Sequence, residues 1–368
     1  MELAYVSVND WTDWTFVTLH DKSGLSSVME TTCGLDITSE LSQLMDVLKS
    51  KPLSKDTDVL ETSGLTASQA QMNLPVASAI SAFSSAVTDI QAQHQNISLT
   101  ESLGGKQTPK IPLYANINRA LLGGVRTPKD FAHIANQAVQ DGFNVVKCAP
   151  FDEVNRSIPL NDVFAISQSG LERVSLIRET VGPEVTILVD CHSRFDAQSA
   201  SQVAYELGKL DVSWFEEPVE PTKEPDLLVD IASCVNIPIA GGESGFGKRF
   251  FGDLVNLYNV DIAMPDIKYC GGMMEAVRSA ENVARFGGKT SLHGPTGPIS
   301  ILAGAHVTAS MKSAMNLEFG VYECPWRADL LNPPEQVESG HLWFPGGSGL
   351  GAELNQKIIG RYGKSWTY

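Results

Sequence analysis

The 368-residue chain contains 43% hydrophobic and 19% charged residues, which is typical of a soluble globular protein and excludes a disordered one. Its formal net charge of −16 argues against nucleic acid and anionic lipid as partners, because both need clustered Lys and Arg. This charge does not exclude an anionic substrate, since a bound metal ion can reverse the local field. The length exceeds one ordinary core and favours a large barrel with a smaller partner domain.

The cysteines and the N-terminus indicate the compartment. Six cysteines are spread along the chain without CxxC spacing, which favours free thiols in a reducing compartment over a disulfide or zinc framework. The N-terminal stretch MELAYVSVNDWTDW has no basic segment and no long apolar run. We therefore expect neither a signal peptide nor a membrane span, and a cytoplasmic location.

Residues 1–108 predict an α+β capping domain. Short strands are expected over 1–32, because WTFVTLHD alternates between polar and apolar residues and KSG forms a turn after it. Helical periodicity covers 36–50 and 66–93. The turn-rich stretch LGGKQTPK, residues 103–110, marks the boundary between this domain and the next.

From residue 109 to residue 320, short apolar runs alternate with amphipathic segments. The apolar runs are IPLYANI, FNVVKCA, VTILVDC, VSWFEE, IPIAGGE, VDIAMPD, GKTSLHG and AMNLEF. The helix-like segments are 128–141, 161–180, 197–208, 224–234, 271–287 and 299–312. This pattern predicts an α/β protein with a TIM-like (β/α)7–8 barrel. A doubly wound open sheet is the main alternative, but no GxGxxG comes after an early strand. The Gly-, Pro- and Trp-rich segment 321–368 is expected to return to the capping domain.

Three acidic residues end three consecutive predicted strands. In such a barrel the chemistry lies where the strands end, so Asp190, Glu216 and Glu243 should stand side by side. Converging carboxylates without partners repel one another and raise each other's pKa values. A hard divalent cation removes that cost, and Mg²⁺ prefers oxygen ligands. The pattern therefore predicts a Mg²⁺ site, with helix capping or pairing to Arg as the alternative for each acid.

Other strand ends supply candidates for acid–base chemistry. His293 and Asp266 end neighbouring strands, and an Asp beside a His fixes its tautomer and supports the imidazolium, so the pair predicts a general base. Glu318 either donates a hydrogen bond to a developing oxyanion or pairs with a cation at the rim. Lys147 either neutralises a substrate carboxylate or pairs with Asp190.

The six motifs VDCHSR, WFEEPV, AGGES, PDIKYCGG, LHGPTGP and NLEFG, in this order and at these intervals, resemble the enolase superfamily and its mandelate racemase subgroup. The resemblance covers nearly the whole chain. It implies three Mg²⁺ ligands, an Asp–His base dyad and an acid that assists the enolate oxygen: Asp190, Glu216, Glu243, Asp266, His293 and Glu318. The implied chemistry is abstraction of the proton α to a carboxylate, giving an enediolate. Relatives of this kind usually form homo-oligomers.

One motif departs from the subgroup. In VVKCAPF, Lys147 fits the first lysine of the usual Lys-x-Lys, but Ala149 replaces the second, which disfavours two-base racemisation through that lysine. Alternation along a strand should place His192 on the same face as Asp190. A metal ligand followed by x-His resembles galactonate-type acid-sugar dehydratases. By that resemblance His192 protonates the leaving β-hydroxyl, and the product is a 2-keto-3-deoxy acid. The alternative is that His192 only orients a ligand carboxylate.

The N-terminal block also departs from the pattern of the subgroup. Its stretch SVNDWTDWTFVTL leaves little room for the mobile flap that usually closes such sites. Trp11 and Trp14 either replace the flap or simply pack. The substrate expected is a small-molecule carboxylate, a β-hydroxy sugar acid. Two other functions stay open. One is an epimerase, racemase or cycloisomerase acting through the same intermediate. The other is a non-catalytic binding barrel, which Ala149 favours.

Overall fold

The computed structural model describes residues 1–368 without a gap and shows a mixed α/β fold. The strands are β1 (Glu2–Asn9), β2 (Thr12–His20), β3 (Ser26–Glu30), β4 (Lys110–Asn116), β5 (Val145–Cys148), β6 (Thr186–Asp190), β7 (Val212–Glu216), β8 (Ile239–Gly241), β9 (Ile262–Ala263), β10 (Lys289–Thr290), β11 (Leu317–Gly320), β12 (Leu331–Asn332), β13 (Gln336–Glu338), β14 (His341–Trp343), β15 (Glu353–Leu354) and β16 (Gly363–Thr367). The helices are α1 (Thr38–Leu48), α2 (Thr57–Ser63), α3 (Ala67–Gln71), α4 (Leu74–Gln95), α5 (Leu99–Ser102), α6 (Pro128–Gln140), α7 (Leu160–Ile166), α8 (Gln168–Val181), α9 (Ala197–Lys209), α10 (Pro225–Ala232), α11 (Gly247–Tyr258), α12 (Met273–Arg285), α13 (Pro298–Ser310) and α14 (Gln356–Tyr362).

Both ends of the chain form one four-stranded antiparallel sheet, in the order β16–β1–β2–β3. The three N-terminal strands confirm the strands predicted over 1–32. Strand β16 pairs with β1 from Glu2–Thr367 to Val6–Gly363, so the C-terminal segment does return to the N-terminal block. Part of that segment lies elsewhere, however, because β14 pairs antiparallel with β4 and β13 pairs with β14.

The second sheet contains seven parallel strands in chain order, from β4 to β10. Strand β11 pairs in parallel with β4, and an isolated bridge between Thr290 and Ala314 joins the end of β10 to the residues before β11. Helices α6 to α13 lie between these strands in the sequence. The alternation of strand and helix therefore agrees with the predicted pattern, and all eight strands point their carboxyl ends the same way.

The strand register places alternate side chains on the two faces of the parallel sheet. In β6 and β7, Leu188 pairs with Trp214 and Asp190 pairs with Glu216, and alternate residues share a face. On the face that carries Leu188 and Asp190, a buried apolar cluster contains six residues: Tyr114, Leu188, Trp214, Ala240, Ile262 and Met264. The polar members lie next to them toward the carboxyl ends of the strands. This face is therefore apolar along the strands and ionisable at their carboxyl ends, where the candidate site lies.

Two predicted helices are broken, and four helices were not predicted. The segment 66–93 forms α3 and α4, because Asn73 has an extended backbone and its side chain accepts a hydrogen bond from the Val76 N–H, which starts a new helix. The segment 161–180 forms α7 and α8. The helices without a counterpart among the predicted segments are α2, α5, α11 and α14. None of the helices combines the length and the apolar character needed to cross a bilayer.

The buried His306 in α13 makes stability depend on pH. The ring nitrogens lie 2.8 Å from Thr100 Oγ1 and 3.2 Å from the Leu350 carbonyl, and burial lowers its pKa to about 4. The unfolded chain takes up this proton near pH 6.5 and the folded chain only near pH 4. Its contribution to stability is therefore complete above pH 6.5 and is lost as the pH falls toward 4. We expect a loss of about 2 kcal/mol in the free energy of unfolding between pH 7 and pH 5.

Urea unfolding at the two pH values measures this loss. A His306→Gln variant should show a clearly smaller difference, because Gln does not titrate in this range. The matched control is His133→Gln, since His133 is exposed in α6. Equal pH dependence in wild type and His306→Gln would contradict the assignment.

Candidate active site

Lys147, at the end of β5, is surrounded by carboxylates. Its Nζ lies 2.5 Å from Glu216 Oε1, 2.8 Å from Glu318 Oε1 and 3.5 Å from Asp190 Oδ2. Burial opposes the charge on this lysine, but Glu216 and Glu318 outweigh it and raise the pKa of Lys147 well above its usual value. The side chain has no exposed surface. Of its two predicted roles, the structure shows pairing, and with three acids rather than with Asp190 alone.

Glu318, on β11, is held by two further donors. The Asn116 side-chain amide donates to Oε1 at 2.8 Å, and the Gly294 N–H donates to Oε2 at 3.0 Å. Burial opposes ionisation of this carboxyl, but Lys147 and His293 outweigh it and lower the pKa of Glu318. Glu318 is therefore an ionised acid paired to a cation in this arrangement. Asn116 was not predicted, although a polar residue at the end of YAN in β4 was the signal for it.

The three acids around Lys147 can carry three negative charges, which its single positive charge does not balance. Burial and the neighbouring Asp190 raise the pKa of Glu216 well above its usual value, although Lys147 opposes this. Glu216 Oε2 also accepts a hydrogen bond from Trp214 Nε1 at 3.1 Å. One ammonium thus stabilises two carboxylates as anions and leaves the third prone to protonation.

His192 meets Asp190, as predicted, but not through strand alternation. Strand β6 ends at Asp190, and His192 and the adjacent Ser193 have left-handed φ values of 48° and 56°. The His192 N–H donates to Asp190 Oδ1 at 3.0 Å, and His192 Nε2 lies 3.2 Å from Asp190 Oδ2. The charge of Asp190 outweighs burial and raises the pKa of His192. The imidazole is 48% exposed, so it can reach a bound molecule.

His293 contacts Asp266, as the dyad hypothesis predicts, and also contacts Glu243, which that hypothesis does not predict. Its Nδ1 lies 2.8 Å from Asp266 Oδ2, and its Nε2 lies 3.1 Å from Glu243 Oε2. Burial opposes the imidazolium, but Glu243 and Asp266 outweigh it and raise the pKa of His293 to about 9. Asp266 also accepts from Lys268 Nζ at 2.6 Å, and Lys268 and His293 together hold the pKa of this buried Asp low.

Another buried acid, Glu217, was not predicted. It contacts both the segment after β6 and the segment after β8. Its Oε1 accepts from the N–H groups of Gly242 at 2.9 Å and Glu243 at 3.2 Å, and the Ser193 hydroxyl donates to Oε2 at 3.3 Å. Its φ is 39°, a left-handed value that is rare for a non-glycine residue. Burial and then Glu243 raise the pKa of Glu217. The second Glu of WFEEPV was the available signal.

The predicted metal ligands lie at or just after the ends of three consecutive strands, and all are of the donor type that Mg²⁺ prefers. Asp190 and Glu216 are register partners at the ends of β6 and β7, and Glu243 comes after β8. In the described conformation these acids lie against Lys147, His192 and His293, and no three His, Cys, Asp or Glu side chains of the chain surround a common point. All three donors are carboxylates, and they carry more negative charge than Lys147 balances. This is the charge that a divalent cation neutralises.

The two N-terminal tryptophans have different surroundings. Trp14 is fully buried and packs edge-on against Trp326, with ring centroids 5.9 Å apart. Trp11, at the β1–β2 turn, is 60% exposed, and its indole lies so close to Gly123 that a Cβ there would approach it to 2.0 Å. Trp14 thus packs, whereas Trp11 lies on the segment after β4.

Comparison with known proteins identifies the family. Residues 130–358 match the family model described as enolase C-terminal domain-like. The chain is 27% identical over 292 residues to the D-xylonate dehydratase of Haloferax volcanii, covering 77% of this chain and 69% of the relative. It is 25% identical over 289 residues to the D-galactarolactone cycloisomerase of Agrobacterium fabrum, covering 76% and 72%.

A solved structure shows the same fold. A crystal structure of an enolase superfamily member from Salmonella Typhimurium superposes with a TM-score of 0.87 at 22% identity, covering 100% of this chain and 99% of that one. The family match spans more than half of the chain and contains all eight predicted site residues. The motifs therefore indicated the correct family, and the protein is a member of the enolase superfamily.

Proposed function

We propose that the protein is a Mg²⁺-dependent dehydratase that removes the α-proton of a β-hydroxy sugar acid and eliminates water to give a 2-keto-3-deoxy acid. The observation that carries this proposal is the placement of two histidines on the ligand acids. His293 lies on Glu243 and Asp266, and His192 lies on Asp190. Such a pair can supply one base and one acid to a single substrate. The similarity to a D-xylonate dehydratase supports this reaction over others of the superfamily.

We also infer that the eight parallel strands close into a (β/α)₈ barrel. The supporting observations are the pairing of β11 with β4 and the bridge between Thr290 and Ala314. The Met315 N–H donates to the Thr290 carbonyl at 2.9 Å, which is a ladder hydrogen bond on the same edge. Closure brings the carboxyl ends of all eight strands around one mouth.

His293 acts as the base in this proposal. Asp266 accepts the Nδ1 proton, which fixes the tautomer. Nε2 pairs with Glu243 here, and it would become the proton acceptor when Glu243 serves as a metal ligand instead. After proton uptake the same carboxylate stabilises the imidazolium. Lys268 donates to the same oxygen of Asp266, Oδ2, so two donors hold this carboxylate in place. The α-proton is transferred from the substrate carbon to Nε2.

His192 acts as the acid. Hydroxide is a poor leaving group, so departure of the β-hydroxyl needs a proton, and such assistance is worth about 10²–10⁴ in rate. Asp190 raises the pKa of this imidazole, which favours its protonated form, and about half of the side chain is exposed. The imidazolium gives one proton to the leaving oxygen, which departs as water. The resulting enol tautomerises to the keto acid.

Asp190, Glu216 and Glu243 would hold the metal. When bound, Mg²⁺ supplies positive charge against the substrate carboxylate as negative charge develops there. Lys147 adds a fixed positive charge to the same cluster, and its three ion pairs prevent it from moving. Because Lys147 is fully paired and Ala149 has no titratable group, His192 is the remaining partner for His293.

A cycloisomerase is the second candidate, and the similarity to the D-galactarolactone cycloisomerase favours it. This reaction also begins at a carbon next to a carboxyl group, so His293 would keep its role. It needs no acid for a leaving hydroxide, and His192 would then only orient Asp190. The two functions differ in their product, which a keto-acid assay can detect.

Metal removal tests the proposed function. We expect purified protein with Mg²⁺ to convert at least one of D-xylonate, D-gluconate and D-galactonate to a keto acid, detected as the semicarbazone. Chelation should abolish turnover and added Mg²⁺ should restore it, because an enediolate cannot form without that charge. Full turnover in chelated protein would overturn the metal assignment. Cyclisation or epimerisation without a keto acid would favour the second candidate.

A further inference from the structure

The N-terminal residues are tied to the side of the site that carries the base. The Tyr269 hydroxyl donates to the Thr32 carbonyl at 2.7 Å. The buried Glu30 carboxylate accepts from the N–H groups of Gly297 at 2.8 Å and Ser300 at 3.0 Å, at the start of α13. These contacts anchor the segments after β9 and β10, which contain the base dyad.

Gln71, the last residue of α3, makes the corresponding contact after β8. Its Nε2 donates to the Ser244 carbonyl at 3.0 Å, and its Oε1 accepts from the Phe246 N–H at 2.5 Å. Both polar atoms of one primary amide are thus bound to a single loop, the segment 243–246. Ser244 is the residue directly after Glu243, so this contact fixes the backbone of a proposed metal ligand.

The loop is glycine-rich, and one backbone hydrogen bond closes it, from the Gly245 N–H to the Gly242 carbonyl at 2.9 Å. Gly241 and Gly242 precede Glu243, and Gly242 has a φ of 102°, which other residues rarely adopt. Glycine-rich segments lose more entropy when they are ordered than other segments do. On the N-terminal side of the loop, the Glu217 carboxylate holds two N–H groups. On the C-terminal side, Gln71 provides the side-chain anchor.

We propose that Gln71 is a positioning residue that orders the Glu243 loop before a divalent cation binds. This inference rests on the proposed function for the identity of the cation. With Gln71 in place, the entropy of ordering is lost when the chain folds. Without it, part of that loss accompanies cation binding and weakens it. The residue lies in a helix of the N-terminal block, so the block contributes to the metal site without providing a ligand.

A Gln71→Leu variant tests the proposal, because Leu keeps the size of the side chain and removes both hydrogen bonds. We expect calorimetric titration with Mg²⁺ alone to show about 10-fold weaker binding, since groups that orient metal ligands have effects of this size. Hydrogen–deuterium exchange of the segment 243–247 should be faster in this variant. Gln69→Leu is the matched control, because Gln69 lies on the same helix and its side chain bonds only to Thr66.

The outcomes separate this proposal from the proposed function. Weaker Mg²⁺ binding and faster exchange in Gln71→Leu, with Gln69→Leu like wild type, would support it. Unchanged Mg²⁺ binding in a folded Gln71→Leu variant would overturn it while leaving the proposed function intact. Equal weakening in both variants would assign the effect to helix α3 as a whole and would also overturn it. If wild type binds no Mg²⁺, both proposals fail together.

Discussion

A His293→Asn variant is expected to lose exchange of the substrate α-proton by about 10²–10⁴-fold, the range for removal of a general base. Asn retains a group that can bond to Asp266 but has no basic nitrogen in place of Nε2. The three proposed ligands are untouched, so Mg²⁺ affinity should change little. The base assignment therefore predicts a variant that binds the cation and substrate but does not begin the reaction.

Deuterium incorporation from D₂O, measured by mass spectrometry, reports this exchange. His133→Asn is the control, because His133 is an exposed histidine with the same substitution. Exchange at the wild-type rate in His293→Asn would remove His293 as the base. A parallel loss of Mg²⁺ binding would instead assign it to the support of Glu243, which it contacts at 3.1 Å.

A His192→Asn variant is expected to separate the two halves of the reaction. Keto-acid formation should fall by about 10²–10⁴-fold, while α-proton exchange continues. The reason is that proton abstraction depends on His293, whereas departure of hydroxide depends on the proton carried by His192. Exchange without product is a signature that loss of folding cannot produce.

The same D₂O incubation, with keto acid measured alongside exchange, gives both quantities. His94→Asn is a matched control, since His94 is 50% exposed and pairs with Asp21 at 2.8 Å much as His192 pairs with Asp190. If both activities persist in His192→Asn, this histidine only orients Asp190. If both are lost, it takes part in proton abstraction or in binding the substrate.

The sequence predicted the order of the parallel strands better than their lengths. Seven-residue apolar runs at 237–243, 260–266 and 288–294 become β8, β9 and β10, with three, two and two residues. Pro238 and Pro265 cannot donate ladder hydrogen bonds, and Gly242 leaves the extended region, so pairing stops early. Apolar character marks burial, which the runs retain, and it does not by itself fix where pairing ends.

The candidate site was predictable where a residue ends a strand and was missed where another part of the chain approaches. Lys147, Glu318 and the dyad were expected from their place at strand ends, and the structure brings each to its predicted neighbour. Gln71 gave no signal, because nothing in α3 reveals that it meets a loop more than 170 positions later. Contacts of this kind depend on packing between distant segments, which spacing along the chain does not encode.

The left-handed backbone at His192, Ser193 and Glu217 has a thermodynamic consequence. Non-glycine residues in this region each cost on the order of 1 kcal/mol, so the folded chain is less stable than relaxed turns would make it. His192 is the proposed acid, Ser193 follows it, and Glu217 holds the backbone of Glu243, a proposed metal ligand. A relaxed turn at His192 would point the imidazole elsewhere. Selection for thermal robustness alone should therefore remove this geometry first, and heat tolerance and turnover should be opposed at these positions.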